Sequence, residues 1–210
     1  NGKVYFWPDS DISSAKISFS QFGGTVVLFD NVSYVKIDGF MFENCRGNVI
    51  NTTDAGVRNL TVNGCIFRCI GADVVYTKEC YDSVFSNNMI YSTSCGGFDI
   101  GGGGGDSQTC ACNIITNNEI HDYAIDDTVY NPAIRVRGAG MLVSHNLIYN
   151  APHEAMEFTG GNMIIEYNEV HDVCDETADA GAFYTGLDGA AHGTVSRYNL
   201  FVNVGNDKFS

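Results

Sequence analysis

Apolar and polar positions alternate along this chain in short bursts, and the bursts recur. Five copies of one phrase read SNNMIYS, TNNEIHD, SHNLIYN, EYNEVHD and RYNLFVN, built around Asn88, Asn118, Asn146, Asn168 and Asn199. The same frame occurs earlier with glycine in the Asn place, as IDGFMFE around Gly39 and VNGCIFR around Gly64. A second apolar run precedes each phrase: TVVLFD, NVINTT, DVVYTK, FDIG, AIRVRG, AMEFTG and GAFYTG. No helical period separates the runs, so two or three short strands per unit stack as coils. One coil cannot bury its own apolar face, whereas stacked coils share a continuous core. Side-chain amides carry both donors and an acceptor and can bond along the stack. A β-sandwich would not repeat one phrase at one phase. The pattern predicts an all-β, single-stranded right-handed parallel β-helix of about seven coils with an Asn ladder.

The 210 residues make one domain, 1–210, read as an excerpt of a longer chain lacking one or both end caps. A net charge of −14 leaves no basic stripe for nucleic acid. No apolar run is long enough to span a bilayer. Eight cysteines (Cys45, Cys65, Cys69, Cys80, Cys95, Cys110, Cys112, Cys174) lack zinc-finger spacing, so no metal site is indicated. They predict disulfides in an oxidising, extracellular setting. Cys45 and Cys69 fall at nearly the same phase of adjacent coils and suit a bridge between rungs. Sequons begin at Asn31, Asn51 and Asn59.

Aligning the upstream runs gives a column at the third position: Leu28, Ile50, Val75, Ile100, Arg135, Glu157 and Tyr184. Its neighbours Val27, Val49, Val74, Ile134, Met156 and Phe183 are apolar, as an inward column should be. The third-position column is therefore expected to face outward, greasy at first and polar in the last three coils. The loops entering those coils carry Tyr130, Asn131, His153, Glu154, Glu176 and Asp179. With Arg135, Arg137, Glu157 and Tyr184 they form a candidate sugar groove. Paired carboxylates are what glycoside cleavage requires. Arg135 and Glu157 also fit a plain ion pair between rungs. His121 and His171 share the phase of Tyr91 and Tyr149 and read as packed ladder residues, while His145 reads as packing or ordering a turn. DIGGGGGD, from Asp99 to Asp106, lacks the Lys-Ser/Thr ending of a phosphate loop. No cofactor is expected; Asp99 and Asp106 are oxygen ligands for calcium, yet two acids do not define a site.

The run from His145 to Gly186, HNLIYNAPHEAMEFTGGNMIIEYNEVHDVCDETADAGAFYTG, resembles secreted β-helix proteins similar to glycoside hydrolase family 141, within the pectate-lyase-like superfamily. GKVYFWPDSD and VSYVKIDGFMFENCRGNVI look like earlier coils of that family. Its most specific portion is ETxDAGAxYxG, here Glu176, Thr177, Asp179, Ala180, Gly181, Ala182, Tyr184 and Gly186; Pro152 and His153 come next. The resemblance implies an extracellular carbohydrate-active scaffold, with xylanase and fucosidase among the family's activities. It makes Asp179 and Glu176 first choices for acid chemistry and His153 a substrate contact. Relatives continue YxG with Arg-Asp and an aromatic, where this chain has Leu187, Asp188 and Gly189.

Three functions stay open. Hydrolysis of a polysaccharide would use Asp179 with Asp188 or Glu157, with Glu176 the other first choice among the acids, and Arg135, Arg137, Tyr184 and His153 on the sugar. A non-catalytic glycan-binding module is favoured by Leu187 in the arginine's place. A structural extracellular subunit would self-assemble through uncapped coil ends, with the greasy stripe as a lateral contact. A lyase ranks lower, because lyases of acidic sugars need calcium or a basic groove.

Overall fold

The computed structural model describes residues 5, 7–8, 11–14, 17, 19–103, 109–186, 189 and 191–205. Three seven-stranded sheets, parallel throughout, form the walls of a β-solenoid. The first wall stacks Val27–Phe29, Ile50–Thr52, Val75–Thr77, Phe98–Gly101, Ile134–Arg137, Met156–Thr159 and Phe183–Tyr184. The second runs from Lys36–Asp38 to Val195–Arg197, and the third from Met41–Cys45 to Leu200–Val204. A three-stranded sheet of Val32–Ser33, Val57–Arg58 and Cys80–Tyr81 bridges the early coils between the first two walls. The only helical turn among the described residues is the 3-10 segment Ile12–Ser14.

Strand alternation sends one residue in two into a shared interior. Ile50, Val62, Phe67, Phe85, Phe98, Ile120, Ile134, Val143 and Val170 are buried there, drawn from all three walls. The ladder runs along the corner between the second and third walls. Each Asn Oδ1 accepts both the backbone N–H and Nδ2 of the ladder residue one rung earlier, as Asn146 Oδ1 does from Asn118 at 3.0 and 2.9 Å. Each Nδ2 also donates to a carbonyl of that earlier rung, Asn146 to Ile115 and Asn168 to Val143, both at 3.0 Å. The chain from Asn88 through Asn118, Asn146 and Asn168 to Asn199 is unbroken.

Three expectations fail by the same single residue. In the first wall Leu28 pairs with Asn51, Asn51 with Tyr76, and Tyr76 with Asp99, which leads to Arg135, Glu157 and Tyr184. Ile50, Val75 and Ile100 therefore point inward and are fully buried, and the greasy outer stripe is absent beyond Leu28. In the ladder, Cys65 N–H donates to Asn88 Oδ1, so Cys65 and not Gly64 holds the Asn place. Gly39 and Gly64 sit one position earlier, at the left-handed corner shared with Asn87, Asn117, His145, Tyr167 and Tyr198. Cys45 pairs with Ile70, which leaves Cys69 exposed on the opposite face and precludes the rung bridge. A slip of one residue moves a strand side chain to the other face. The cysteine expectation is corrected more widely, since Cys110–Cys112 is the one disulfide among the described residues and the other six thiols are free.

On the third wall Tyr91, His121, Tyr149 and His171 stack face to face, at centroid spacings of 5.3, 4.7 and 4.8 Å. Both histidines are ladder residues, as their phase predicted. His145 orders its corner by stacking on Tyr167.

Candidate functional site

The outward column of the first wall changes character along the axis, from Leu28, Asn51 and Tyr76 to Asp99, Arg135, Glu157 and Tyr184. Rung spacing of about 4.8 Å brings these last four side chains into direct sequence along one strip. Arg135 Nε donates to Glu157 Oε2 at 2.6 Å, its Nη1 to Asp99 Oδ2 at 3.3 Å, and its Nη2 to the Tyr130 carbonyl at 2.5 Å. Arg137 Nη1 reaches Asp99 Oδ2 at 2.9 Å. Asp99 Oδ1 lies 2.5 Å from Arg137 Nη2, an ion pair whose angle falls short of a hydrogen bond. The rung-to-rung pairing of Arg135 and Glu157 is thus real, and it extends into a four-residue network. Burial pushes the Asp99 carboxyl up, and the two arginines oppose that shift. With both guanidinium groups on it, Asp99 is poorly disposed toward calcium; Asp106 lies outside the described residues.

The corner leaving this wall is crowded just where the charges end. Gly138 and Gly160 follow the two strands that carry Arg135 and Glu157. A Cβ on Gly160 would lie 2.0 Å from the Gly138 carbonyl oxygen, so only glycine allows that approach. The opposite edge carries His153, Glu154 and Asp179. Asp179 is exposed, with a left-handed φ of 57° that an Asp tolerates. Its charge is the first cause raising the Tyr184 phenol above its ordinary value; burial, Tyr130, Glu154 and Glu157 add to it. One phenol therefore senses acids from two successive rungs.

His153, expected to touch substrate, is only 1% exposed. Its Nδ1 lies 2.5 Å from Thr177 Oγ1, and Tyr130 meets its ring edge-on at 5.2 Å. Burial lowers its pKa and the Asp179 charge opposes that shift. Glu176 is exposed, and its backbone N–H bonds the Pro152 carbonyl; among the described residues no hydrogen bond or ion pair joins its carboxylate to the cluster. Asp188 and Leu187 lie outside the described residues.

Glu154, grouped from sequence with the loop residues of the groove but given no role there, is fully buried. Neither carboxyl oxygen has a hydrogen-bond partner among the described residues. Burial, reinforced by Glu157 and Asp179 and opposed by Arg135, pushes its pKa up to about 7. A signal for it existed. In the register that pairs Ile134 with Met156 and Met156 with Phe183, Glu154 takes the place held by Pro132 and Gly181 on the adjoining rungs. An acid where neighbouring coils carry no polar side chain marks a local departure from the repeat.

No group of three or more potential metal ligands occurs among the described residues, and no helix there is long and apolar enough to cross a membrane. Comparison with protein-family models and with curated proteins finds no match to this chain.

Proposed function

We propose that this β-solenoid cleaves a polysaccharide by glycoside hydrolysis on the first wall of its later coils, consistent with the resemblance to glycoside hydrolase family 141. The observation that carries the reading is the outward strip of Asp99, Arg135, Glu157 and Tyr184 in register on the first wall, with Asp179 exposed in the loop that enters its last strand. Arg135 Nε donates to Glu157 Oε2 at 2.6 Å and orients that carboxyl group along the strip, which suits a nucleophile or a base for water. Asp179, open to solvent beside it, passes a proton to the glycosidic oxygen as the bond to the anomeric carbon breaks. Tyr184 and the outer edges of Arg135 and Arg137 contact the sugar, while His153 supports the wall from beneath.

The test is reducing-end release from a panel of xylan-type and fucose-bearing polysaccharides. Asp179→Asn should lower turnover at least ~100-fold with folding unchanged, in line with loss of an acid–base group. Turnover that persists in Asp179→Asn removes the assignment. A second reading, a glycan-binding module without catalysis, is favoured by one feature: Arg135 already neutralises Glu157 and shares itself with Asp99. Retention on a glycan array with no product from any substrate selects it.

A further inference from the structure

Buried polar atoms without a hydrogen-bond partner concentrate at two consecutive residues, in Glu154 Oε1 and Oε2 and in His153 Nε2. The hydrogen-bond chain fixes the histidine. Thr177 Oγ1 gives its one proton to the Pro152 carbonyl at 2.9 Å, so it can only accept from His153 Nδ1. The neutral imidazole therefore carries its proton on Nδ1 and leaves Nε2 bare. Glu154 has no such chain. An ionised carboxylate with neither hydrogen bond nor counter-ion is costly enough inside a protein that the group takes up a proton instead.

Among the described residues the groups around Glu154 offer one compensating charge, and it is already engaged. Glu157 lies on the strand that Glu154 leads into, Asp179 and Tyr184 on the next rung, and Arg135 on the preceding one. Beneath it, the Tyr123 hydroxyl donates to the Glu154 carbonyl at 3.1 Å, and the Cys174 thiol donates to the His153 carbonyl at 3.3 Å. Burial raises the pKa of both of these groups, so they stay neutral beside the acid. His153 is held neutral by burial, and Tyr130 packs on its edge. Arg135 is the one cation in this set, and Glu157 and Asp99 already engage it.

We propose that Glu154 is a positioning residue, kept uncharged beneath the first wall so that Glu157 and Asp179 can stand as neighbours, and that its ionisation disables the site. A third negative charge there would repel both acids from a site with no hydrogen-bond donor to meet it, and force water or strand movement into the wall. The proposal rests on the reading of Glu157 and Asp179 as the working pair, but its first test does not use activity.

That test measures thermal stability from pH 4 to 9 in the wild type and in Glu154→Gln, which keeps the shape without the charge. A folded pKa of about 7 against an ordinary 4.5 means that the folded state holds its proton longer than the unfolded one. The stabilisation is complete below 4.5 and is lost as pH rises through 7. The wild-type midpoint should therefore fall across that window, and Glu154→Gln should lose most of the fall. Parallel pH curves for the two proteins overturn the proposal. Should the variant fail to fold, carbon-13 NMR of the wild-type carboxyl groups decides: a buried Glu titrating near pH 7 supports it, and all Glu carboxyls ionised by pH 6 overturn it. The positioning role adds a further readout on any hydrolysed glycan. Wild-type kcat/KM should drop about tenfold per pH unit above 7, as for one essential proton, and Glu154→Gln should move that limb upward. An unmoved limb, with the stability effect present, rejects positioning while leaving the hydrolase reading to the Asp179 variant.

Discussion

Two edges of the same coil are built on opposite rules. At the Asn corner every rung repeats its neighbour, and each amide spends its oxygen and both of its donor directions within the protein. At the His153–Glu154 edge no rung repeats, and three buried polar atoms have no partner. The first edge lowers the free energy of the fold. The second raises it, and a structure tolerates such local conflict mainly where chemistry needs it. Regularity and local conflict thus occupy different faces of one solenoid.

The contrast can be attacked from either side. The largest effect should come from the ladder. Asn146→Ala removes the bonds to Ile115 and Asn168 and strands the Asn118 N–H, at a cost of about 3–5 kcal/mol by chemical denaturation. A loss below 1 kcal/mol would deny the ladder its role. Next, Arg135→Met leaves Asp99 and Glu157 facing each other with Arg137 alone, and should cost about 3 kcal/mol. A neutral or stabilised variant would show the network to be dispensable to folding.

His153 supplies the acid counterpart to Glu154. Its folded pKa lies below the ordinary 6.5, so its contribution is present above that value and lost as pH falls through the folded pKa. His153→Gln should remove that loss, and because it overlaps and opposes the Glu154 term below pH 6.5, the fall in stability between pH 4.5 and 7 should steepen. The smallest effect belongs to the ring stack, where His121→Ala should cost about 1 kcal/mol. Thiol counting in denaturant without reductant should find six free cysteines, and fewer would restore bridges that the fold excludes.

The fold was legible because the amide ladder demands one residue type at one phase, and five coils obey it. The first coils were misread by a single position because they carry Phe40 and Cys65 where later coils carry Asn, which removes the phase marker. Ile50, Val75 and Ile100 aligned as well outward as inward, since both choices put aliphatics in a row and the connection from the first wall to the Asn corner varies in length from coil to coil. Asp179, Glu157, Tyr184 and Arg135 could be collected from sequence because they sit at or beside strand positions whose register is periodic. The burial of Glu154 could not. It comes from the packing of Tyr123, Cys174 and the Pro152–Thr177 turn, contacts between segments with no common period.

The left-handed corner carries a consequence for how such a surface diversifies. From Gly64 to Tyr198 it keeps φ between 55° and 60° while its side chains change from hydrogen to amide to ring. Asn87 and Asn117 bond one another there, and His145, Tyr167 and Tyr198 pile as a column of rings. The backbone fixes the address and leaves the letter free, with β-branched residues alone disfavoured. Such an edge can be rewritten one turn at a time, as a binding strip or an inert one, without disturbing the interior that supports it.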